Sequence, residues 1–264
     1  EIAGGKFEGH PCFFEVGERS EFPFDPFAAS FYLLSRYEEY LPHKRDEHGR
    51  FTAEQSLGHE LGFLRFPIVD FWAQALAQRI TKRHPNVGFP ERKFSFVNSI
   101  DVDNAYAFLG KGLFRNLAGF TKSVLTLNIK EFVLRLQVLT FSKRDPYDTY
   151  SFLLRQGKRY GFSSLFFFLM GDYSSFDKNL PGSSSRLKLL IKSIADDAQI
   201  GIHPSYYCEE KGMLKKELRR LSRIVNDEVK HSRQHYLRLN LPSTYRMLIE
   251  HDITDDYTMG YASL

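Results

Sequence analysis

Short apolar segments alternate with amphipathic segments along the second part of the chain. Ser164–Met170 is a continuous apolar run, which is typical of a strand that is covered on both faces. Three further segments have the length and character of strands, at 94–100, 199–203 and 236–239. Apolar residues at helical spacing predict helices within 113–141 and at 148–160, 184–198, 212–230 and 242–250. This alternation predicts a parallel α/β architecture.

The first part of the chain, residues 1–92, has a different character. Its predicted elements are strands and turns within 1–21 and helices at 26–40 and 67–83. The segment 85–92 has the composition of a linker. We therefore expect residues 1–92 to form a small α+β cap of unassigned function, packed beside an α/β domain formed by residues 93–264.

The composition limits the classes of protein to which the chain can belong. With 42% hydrophobic and 26% charged residues, the chain can bury a core and is not typical of a disordered protein. The 36 basic residues exceed the 32 acidic residues only slightly and are scattered, which argues against nucleic-acid binding. No apolar run approaches the roughly 20 residues of a membrane span.

The two cysteines bear on the compartment of the protein. Cys12 and Cys208 favour free thiols in a reducing compartment over a disulfide framework, so we expect a cytoplasmic rather than a secreted protein. The sequence begins with Glu1 and not with Met. We therefore expect it to be a piece of a longer chain, and the missing signal peptide is weak evidence about location.

Polar residues follow the predicted strands at four places. These places are Asp101/Asp103, Gly171–Asp172, His203–Tyr207 and Arg233–Tyr236. In parallel α/β folds the chemistry lies at the carboxyl ends of the strands. We therefore expect Asp101, Asp103, His203 and Arg233 to converge at one edge of the sheet.

Asp101 and Asp103 are the sharpest of these features. Two carboxylates two residues apart, just beyond a strand, can share a site in which one binds a cation and the other acts as a base. The alternative is that Asp101 caps a turn and Asp103 begins a loop. The position at the end of the first strand of an α/β unit weighs against that alternative, and both stay open.

His203 and the residues after it form the second feature. A histidine at a strand end can be a metal ligand, but taken alone it is more often a packed, hydrogen-bonded side chain. Tyr206 and Tyr207 could form a wall on which sugar rings stack, or they could belong to the core.

The segment His231–Tyr236 is the third feature. The guanidinium of Arg233 could clamp a carboxylate such as Asp101 through paired hydrogen bonds, and His235 is a candidate ligand or general acid. The alternative is an ordinary basic helix end. The acidic pair Asp255–Asp256, nearer the chain end, is typical of a solvated turn.

Taken in order, these segments resemble the motifs of the NodB-type polysaccharide deacetylases, carbohydrate esterase family four. The strings that carry the resemblance are IDVDNAYAF, GIHPSYY, SRQHYLRL and DDYTMGYAS, and the resemblance covers 93–264. They are similar to a bacterial subgroup with an extra N-terminal domain, which matches residues 1–92. The resemblance implies a distorted, incomplete (β/α)7-type barrel after that domain. A final Leu-x-His motif has no match before Leu264, so we expect the end of the barrel to be missing.

The resemblance also implies catalytic roles. Asp101 is then the catalytic base, Arg233 orients it, and the backbone N–H at Tyr236 helps to hold the oxyanion. In the family, a further Asp pairs with the Arg, and Asp255 or Asp256 is the candidate here.

A divalent metal is implied in the same way, with Zn²⁺ favoured over Co²⁺, Ni²⁺ or Mn²⁺. Asp103 and His203 are then ligands, but the second histidine of the family motif is replaced by Tyr207. Because a catalytic zinc site has three protein ligands, His235 or Tyr207 itself would have to complete it. The residues suggested for stacking on sugar rings are Tyr106, Tyr206, Tyr207 and Tyr261.

The expected function is metal-dependent hydrolysis of N-acetyl or O-acetyl groups on a bacterial polysaccharide or amino-sugar oligomer. One alternative is a carbohydrate-binding homologue that has lost turnover. A second is a Mg²⁺-dependent phosphatase of the haloacid-dehalogenase type, with Asp101 as nucleophile and Asp103 on the metal. Gly171–Asp172 and Asp177 superficially fit that type, but it leaves His203 and Arg233 without roles.

Overall fold

The structure is a computed structural model that describes residues 2, 4–17, 19–91, 93–210 and 212–263. The chain divides into two compact units. The first comprises Glu1–Phe94, Asn240–Pro242 and Gly260–Leu264, and the second comprises Ser95–Leu239 and Ser243–Met259. Nothing in the hydropathy pattern predicts that the chain returns twice to the first unit.

The first unit combines a hairpin with helices. Its elements are β1 (Gly4–Phe7), β2 (His10–Phe13), α1 (Pro26–Leu34), α2 (Leu57–Glu60) and α3 (Ile68–Arg83). α1 begins as the sequence predicts, because the Asp25 side chain accepts hydrogen bonds from the first backbone N–H groups and Pro26 occupies the first turn. The predicted helix 26–40 is too long, because Arg36 adopts a left-handed conformation with φ of 51°. A separate 3₁₀ turn, Tyr37–Tyr40, follows.

Aromatic rings fill the core of the first unit. Phe13, Phe24 and Trp72 are completely buried. The ring of Phe13 meets that of Trp72 edge-on at 5.6 Å between centroids, and Phe24 lies 5.1 Å from Trp72. Such tilted and edge-to-face pairs are the favoured geometry of aromatic side chains. They hold the β1–β2 hairpin against α3.

The second unit is built on a parallel sheet of five strands. Its elements are β3 (Val97–Val102), α4 (Gly112–Leu125), α5 (Ile129–Leu139), α6 (Tyr150–Tyr160), β4 (Ser163–Leu169), α7 (Ser185–Ala195), β5 (Gln199–His203), α8 (Met213–Val225), β6 (His231–Ser232), α9 (Ser243–Ile249) and β7 (Asp255–Asp256). The strand order is β3-β4-β5-β6-β7, and every neighbouring pair is parallel. The predicted mixed α/β class with a parallel sheet is therefore confirmed. Among the described residues no pairing joins β3 to β7, so closure into a barrel stays a prediction.

Three of the sequence predictions for this unit are wrong. The predicted strand 236–239 is a turn, because Tyr236 and Leu237 have φ of 62° and 52°, which an extended strand cannot contain. The fourth strand is instead His231–Ser232, which lies directly after the predicted helix 212–230. That helix ends at Val225, because Asn226 has a left-handed conformation. The acidic pair Asp255–Asp256, expected in a turn, pairs with β6 as a strand.

The two faces of the sheet have different environments. Ile100, Phe166 and Ile202 point to the face that packs against α7 and α8 in one apolar cluster. The opposite face carries Asp101 beside Phe167 in register. Gly201 lies next to Phe167, and a side chain there would collide with the Phe167 ring. This second face positions the candidate site.

Two further findings concern the whole of the described chain. None of the helices formed by these residues has both the length and the apolar character needed to cross a membrane. Cys12 and Cys208 are both buried free thiols, and burial raises the pKa of each.

Candidate metal centre

Asp103, His203 and His235 form a group whose ligand atoms all lie within 4.8 Å of one another. The Asp103 carboxylate is 3.2 Å from Nε2 of His203 and 3.7 Å from Nε2 of His235. One carboxylate and two imidazoles are a ligand set that suits Zn²⁺ and related divalent metals. The group could hold such an ion.

His203 is oriented by the backbone of the neighbouring strand. It ends β5, is almost completely buried, and its Nδ1 lies 2.5 Å from the carbonyl oxygen of Arg233. Because a carbonyl oxygen only accepts hydrogen bonds, Nδ1 must carry the proton. Nε2, which faces Asp103, is then the atom that donates to the carboxylate when the ring is protonated and that offers its lone pair to a metal when the ring is neutral.

His235 is oriented by a buried carboxylate. Its Nδ1 lies 2.9 Å from Oδ1 of Asp177. The same oxygen accepts a hydrogen bond from the backbone N–H of Tyr206, and Oδ2 of Asp177 accepts one from the hydroxyl of Ser174. Burial alone would raise the pKa of Asp177, but the hydrogen bonds from His235, Tyr206 and Ser174 outweigh it and lower that pKa. The arrangement matches the carboxylate–histidine pairs that fix metal-ligating imidazoles.

Backbone hydrogen bonds beyond the strand ends bring the two histidines together. The N–H of Arg233 donates to the carbonyl of Ile202, and the N–H of His235 donates to the carbonyl of Pro204. β5 and β6 therefore stay side by side past their last strand residues. The rings of His203 and His235 consequently lie 5.0 Å apart between centroids.

The charge state and surroundings of Asp103 fit a cation. The hydrogen bond from His203 lowers the pKa of Asp103, with burial opposing and the nearby histidine charges assisting. The carboxylate is therefore ionised at neutral pH. Oδ1 of the neighbouring Asn104 is buried with no hydrogen-bond partner among the described residues. A buried acceptor without a partner is costly unless something else supplies a partner.

Asp101 lies two residues before the ligand group and is held by Arg233. Nη1 of Arg233 lies 3.0 Å from Oδ1 of Asp101, and Nη2 donates to the hydroxyl of Ser99 at 2.7 Å. Nε donates to the carbonyl of Tyr257 at 3.1 Å, and the guanidinium lies 4.8 Å above the Phe167 ring. These contacts fix both the arginine and the carboxylate.

The acidic pair near the chain end does not partner this arginine in the described structure. Asp256 accepts hydrogen bonds from Ser232 and Thr258. Asp255 accepts from Thr254 and lies 3.7 Å from His231. The expectation that Asp255 or Asp256 pairs with Arg233 is therefore wrong, because the residue that follows β7, Tyr257, gives Arg233 a backbone carbonyl instead of a carboxylate.

A cavity of about 590 Å³ opens beside Asp101 and Asp103. Its aromatic lining comes from Tyr147, Tyr150, Phe176 and Tyr236. Tyr150 is fixed there by a 2.7 Å hydrogen bond from its hydroxyl to the carbonyl of Ala105. The volume falls in the range of small-ligand sites.

None of the four tyrosines suggested for stacking lines this cavity, and their contact with sugar rings stays a prediction. Tyr106 is buried in the apolar cluster of the second unit, and Tyr261 belongs to the first unit, where its ring faces Phe51. Tyr206 stacks on Phe176, with 3.9 Å between ring centroids, and Tyr207 packs against both rings. Tyr207, one of the two candidates for the third metal ligand, is 39% exposed. The other candidate, His235, lies beside Asp103 and His203 in the ligand group.

Gly171–Asp172, the remaining strand-end segment, belongs to a different region. A side chain at Gly171 would collide with Ser205, so the glycine permits close packing. Both carboxylate oxygens of Asp172 are held, by Lys216 and by Arg220, each at 2.7 Å.

Asp177 is the residue of the centre that sequence reasoning assigned only to the phosphatase alternative. Its sole sequence signal is a Ser-x-x-Asp turn from Ser174.

The fold and the site thus define a mixed α/β protein with a candidate Asp–His–His metal centre. Residues 1–85 match the model of a family of unknown function (DUF7033). A solved chain from Mycobacterium smegmatis, described as a "putative polysaccharide deacetylase", is similar over 64% of this chain, with 17% identity and a TM-score of 0.38. The similar region spans 53% of that protein, about half its length. A search of curated proteins finds no match.

Proposed function

We propose that the protein is a metal-dependent deacetylase that removes acetyl groups from an acetylated polysaccharide or amino-sugar oligomer. One observation carries the proposal. Asp103, His203 and His235 form a possible metal centre, and Asp101, clamped by Arg233, lies beside it at the carboxyl ends of the same parallel strands. The motif resemblance over 93–264 gives Asp101, Asp103, His203 and Arg233 matching roles, and His235 is one of the two residues expected to complete the ligand set.

The centre would be formed by three side chains of this chain. Asp103, His203 and His235 would be the ligands, and Zn²⁺ fits this mixture of nitrogen and oxygen donors best. The chemistry that such an ion supplies when bound is Lewis acidity, which polarises a carbonyl and lowers the pKa of a bound water to about 7. The carbonyl of Arg233 and the carboxylate of Asp177 orient the two imidazoles.

Asp101 would serve as the general base. Its Oδ1 accepts the hydrogen bond from Arg233, and among the described residues its Oδ2 has no recorded hydrogen bond. Oδ2 can therefore accept the proton from the water that attacks the acetyl carbonyl, and this proton can pass to the sugar nitrogen or oxygen as its bond to the acetyl carbon breaks. Arg233 keeps the carboxylate in one orientation, which is the positioning that a general base requires.

The oxyanion of the tetrahedral intermediate needs a hydrogen-bond donor. The resemblance gives this role to the backbone N–H of Tyr236, which lines the same cavity as Asp101 and Asp103. A single donor of this kind is usually worth about 10²–10³-fold in rate. Tyr147, which is exposed and lines this cavity, supplies an aromatic surface on which a sugar ring can stack.

The contacts of Asp172 and Asp177 argue against the phosphatase alternative. It needs a second acidic segment beside the metal, and Gly171–Asp172 and Asp177 were its candidates. Asp172 is neutralised by Lys216 and Arg220, and Asp177 is occupied by His235. The alternative also gives His203 and His235 no part in the reaction.

Acetate release from N-acetylglucosamine oligomers tests the proposal. The full chain should release acetate when it is loaded with Zn²⁺, and treatment with EDTA should abolish the release. Co²⁺, Ni²⁺ and Mn²⁺ are the comparison metals. Binding of the oligomers without acetate release under any of the four metals would favour the carbohydrate-binding alternative. Release of phosphate from phosphate esters with Mg²⁺ would favour the phosphatase.

A further inference from the structure

A second cavity, of about 700 Å³, lies between α7 and α8 and shares no lining residue with the cavity at the metal centre. Lys188 and Lys192 line it from α7. Arg220 and Arg223 line it from α8. Four cationic side chains therefore surround one concave space, and nothing in the proposed deacetylase reaction uses them.

The spacing of these cations is unfavourable for the helices that carry them. Lys188 and Lys192 are four residues apart on α7, and Arg220 and Arg223 are three apart on α8. Like charges at these spacings are neighbours on a helix surface and repel each other. A ligand of opposite charge in the cavity would relieve both repulsions.

The acidic lining of the cavity does not neutralise this charge. Asp172 is its only acidic lining residue among those described, and Lys216 and Arg220 already hold its two oxygens. Lys188, Lys192 and Arg223 form no ion pair with any described carboxylate. A concave surface with excess charge of one sign concentrates the field and attracts ligands of the opposite charge.

The rest of the lining is apolar or carries hydroxyl groups. Leu189 is 69% exposed on the α7 side, and Ile224 lies opposite on α8. Ser183 and Ser185 add hydroxyl donors. The volume is that of a site for a small organic molecule, and the lining suits one that combines an apolar part with a strongly anionic part.

We infer that this cavity binds a phosphorylated small molecule, and that its anionic part is a diphosphate. Arg220 is already bonded to Asp172 and to the carbonyl of Met170, so Lys188, Lys192 and Arg223 supply the excess charge of the cavity. Three cations exceed what one carboxylate can neutralise, whereas a diphosphate carries several charges and many acceptor oxygens. The guanidinium of Arg223 matches the geometry of phosphate oxygens through paired hydrogen bonds. This inference does not depend on the deacetylase proposal.

Titration calorimetry with inorganic pyrophosphate tests the inference on the full chain. The chain is first treated with EDTA and the chelator removed, so that pyrophosphate cannot bind through a metal. The double variant Lys192→Gln/Arg223→Gln should bind pyrophosphate at least about tenfold more weakly than the wild type, because it loses two charged hydrogen bonds. Thermal unfolding of the metal-free variant checks that it is folded.

A matched control removes the same charge from the outer face of α8. Lys215 and Arg219 are exposed and do not line the cavity, so Lys215→Gln/Arg219→Gln should leave pyrophosphate affinity within about twofold of the wild type. Equal weakening in both double variants would overturn the inference, because it would indicate diffuse attraction. Absence of saturable binding by the wild type at millimolar pyrophosphate would also overturn it. Tighter binding of citrate than of pyrophosphate would overturn the assignment to phosphate.

Discussion

Arg233 is the residue on which the geometry around Asp101 depends. The sequence predicts its contact with Asp101, because both residues follow strands of one parallel sheet and a guanidinium suits a carboxylate. Its bonds to Ser99 and to the carbonyl of Tyr257 could not be predicted, because they depend on the register and curvature of the sheet. At residue scale the sequence therefore predicts the pair Arg233–Asp101, but it predicts neither the backbone acceptor at Tyr257 nor the other partners of Asp255 and Asp256.

Arg233→Lys should reduce acetate release although the positive charge is kept. An ammonium cannot bond Asp101, Ser99 and Tyr257 at once, so the base loses its orientation. We expect a loss of about 10²-fold in kcat/KM. Zinc content, measured by mass spectrometry, should be unchanged. Full activity in this variant would contradict the role of Arg233.

Asp101→Asn and Asp103→Asn should have different effects. Asp101→Asn should lower acetate release by about 10²–10⁴-fold, because an amide cannot take the proton, and should leave zinc binding intact. Asp103→Asn should weaken zinc binding itself, because an ionised ligand is lost. Zinc affinity and turnover are measured on both variants. If turnover survives Asp101→Asn, the mechanism is wrong.

Asp177→Asn should weaken zinc affinity by about 10–100-fold although Asp177 would not touch the metal. The asparagine removes the charge that orients His235 through Nδ1. Asp172→Asn is the control, because Asp172 pairs with Lys216 and Arg220 away from the centre. A competition titration against a zinc chelator gives the affinities. An equal loss in both variants would remove the special role of Asp177.

At the scale of elements, prediction succeeds where the hydrophobic pattern is long. β5 occupies 199–203 as predicted, and the apolar run of β4 is displaced by one residue, because both strands are buried against helices. β6 and β7 have two residues each and are polar or charged, so no periodicity can identify them. The sequence nevertheless predicts the residues around β6 as a site, through Arg233 and His235.

Helix α8 supports the turn after β5 through one buried acidic side chain. Glu217 is completely buried. Its Oε2 accepts a hydrogen bond from the backbone N–H of Ser205 at 3.0 Å, and its Oε1 accepts one from the hydroxyl of Ser205. Burial raises the pKa of Glu217 to about 7, with the charge of Asp177 assisting, and with the hydrogen bonds from Ser205 and the charge of Arg220 opposing. The glutamate thus ties α8 to the segment that follows His203.

Glu217 should make the second unit less stable as the pH rises from about 4.5 to about 7. In this window the folded state keeps a proton that the unfolded state has lost, so the free energy of unfolding falls, by about 3 kcal/mol in total. The measurement is denaturant unfolding of the wild type and of Glu217→Gln across this range. The free energy of unfolding of the wild type should fall relative to that of Glu217→Gln across this range. Relative to that of the exposed Glu210→Gln, it should stay constant. A flat difference for Glu217→Gln would contradict the burial effect.

At the scale of the whole molecule, the two compact units give separate signals. The single tryptophan, Trp72, is buried in the first unit, so its fluorescence reports unfolding there. Far-UV circular dichroism reports both units. The division of the chain, with its returns at 240–242 and 260–264, depends on long-range packing and could not be predicted from local patterns.

Zinc should stabilise the second unit, because the three ligands lie within it. At zinc concentrations of about 100 times the dissociation constant, the free energy of unfolding should rise by about 2.7 kcal/mol. Thermal unfolding by circular dichroism, with zinc and with EDTA, measures the change, and Trp72 fluorescence shows whether the first unit responds too. An unchanged midpoint in the presence of zinc would contradict a metal centre at these residues.

The carbonyl of Arg233 orients the metal ligand His203, while the side chain of the same residue orients Asp101. A mutation in the codon for residue 233 alters only the side chain, and the carbonyl persists whatever amino acid is encoded. One nucleotide change could therefore lower turnover without dismantling the metal centre. Under the proposed function, most of the activity would then be lost in a single inherited step while the metal is kept, and the reverse change would restore it.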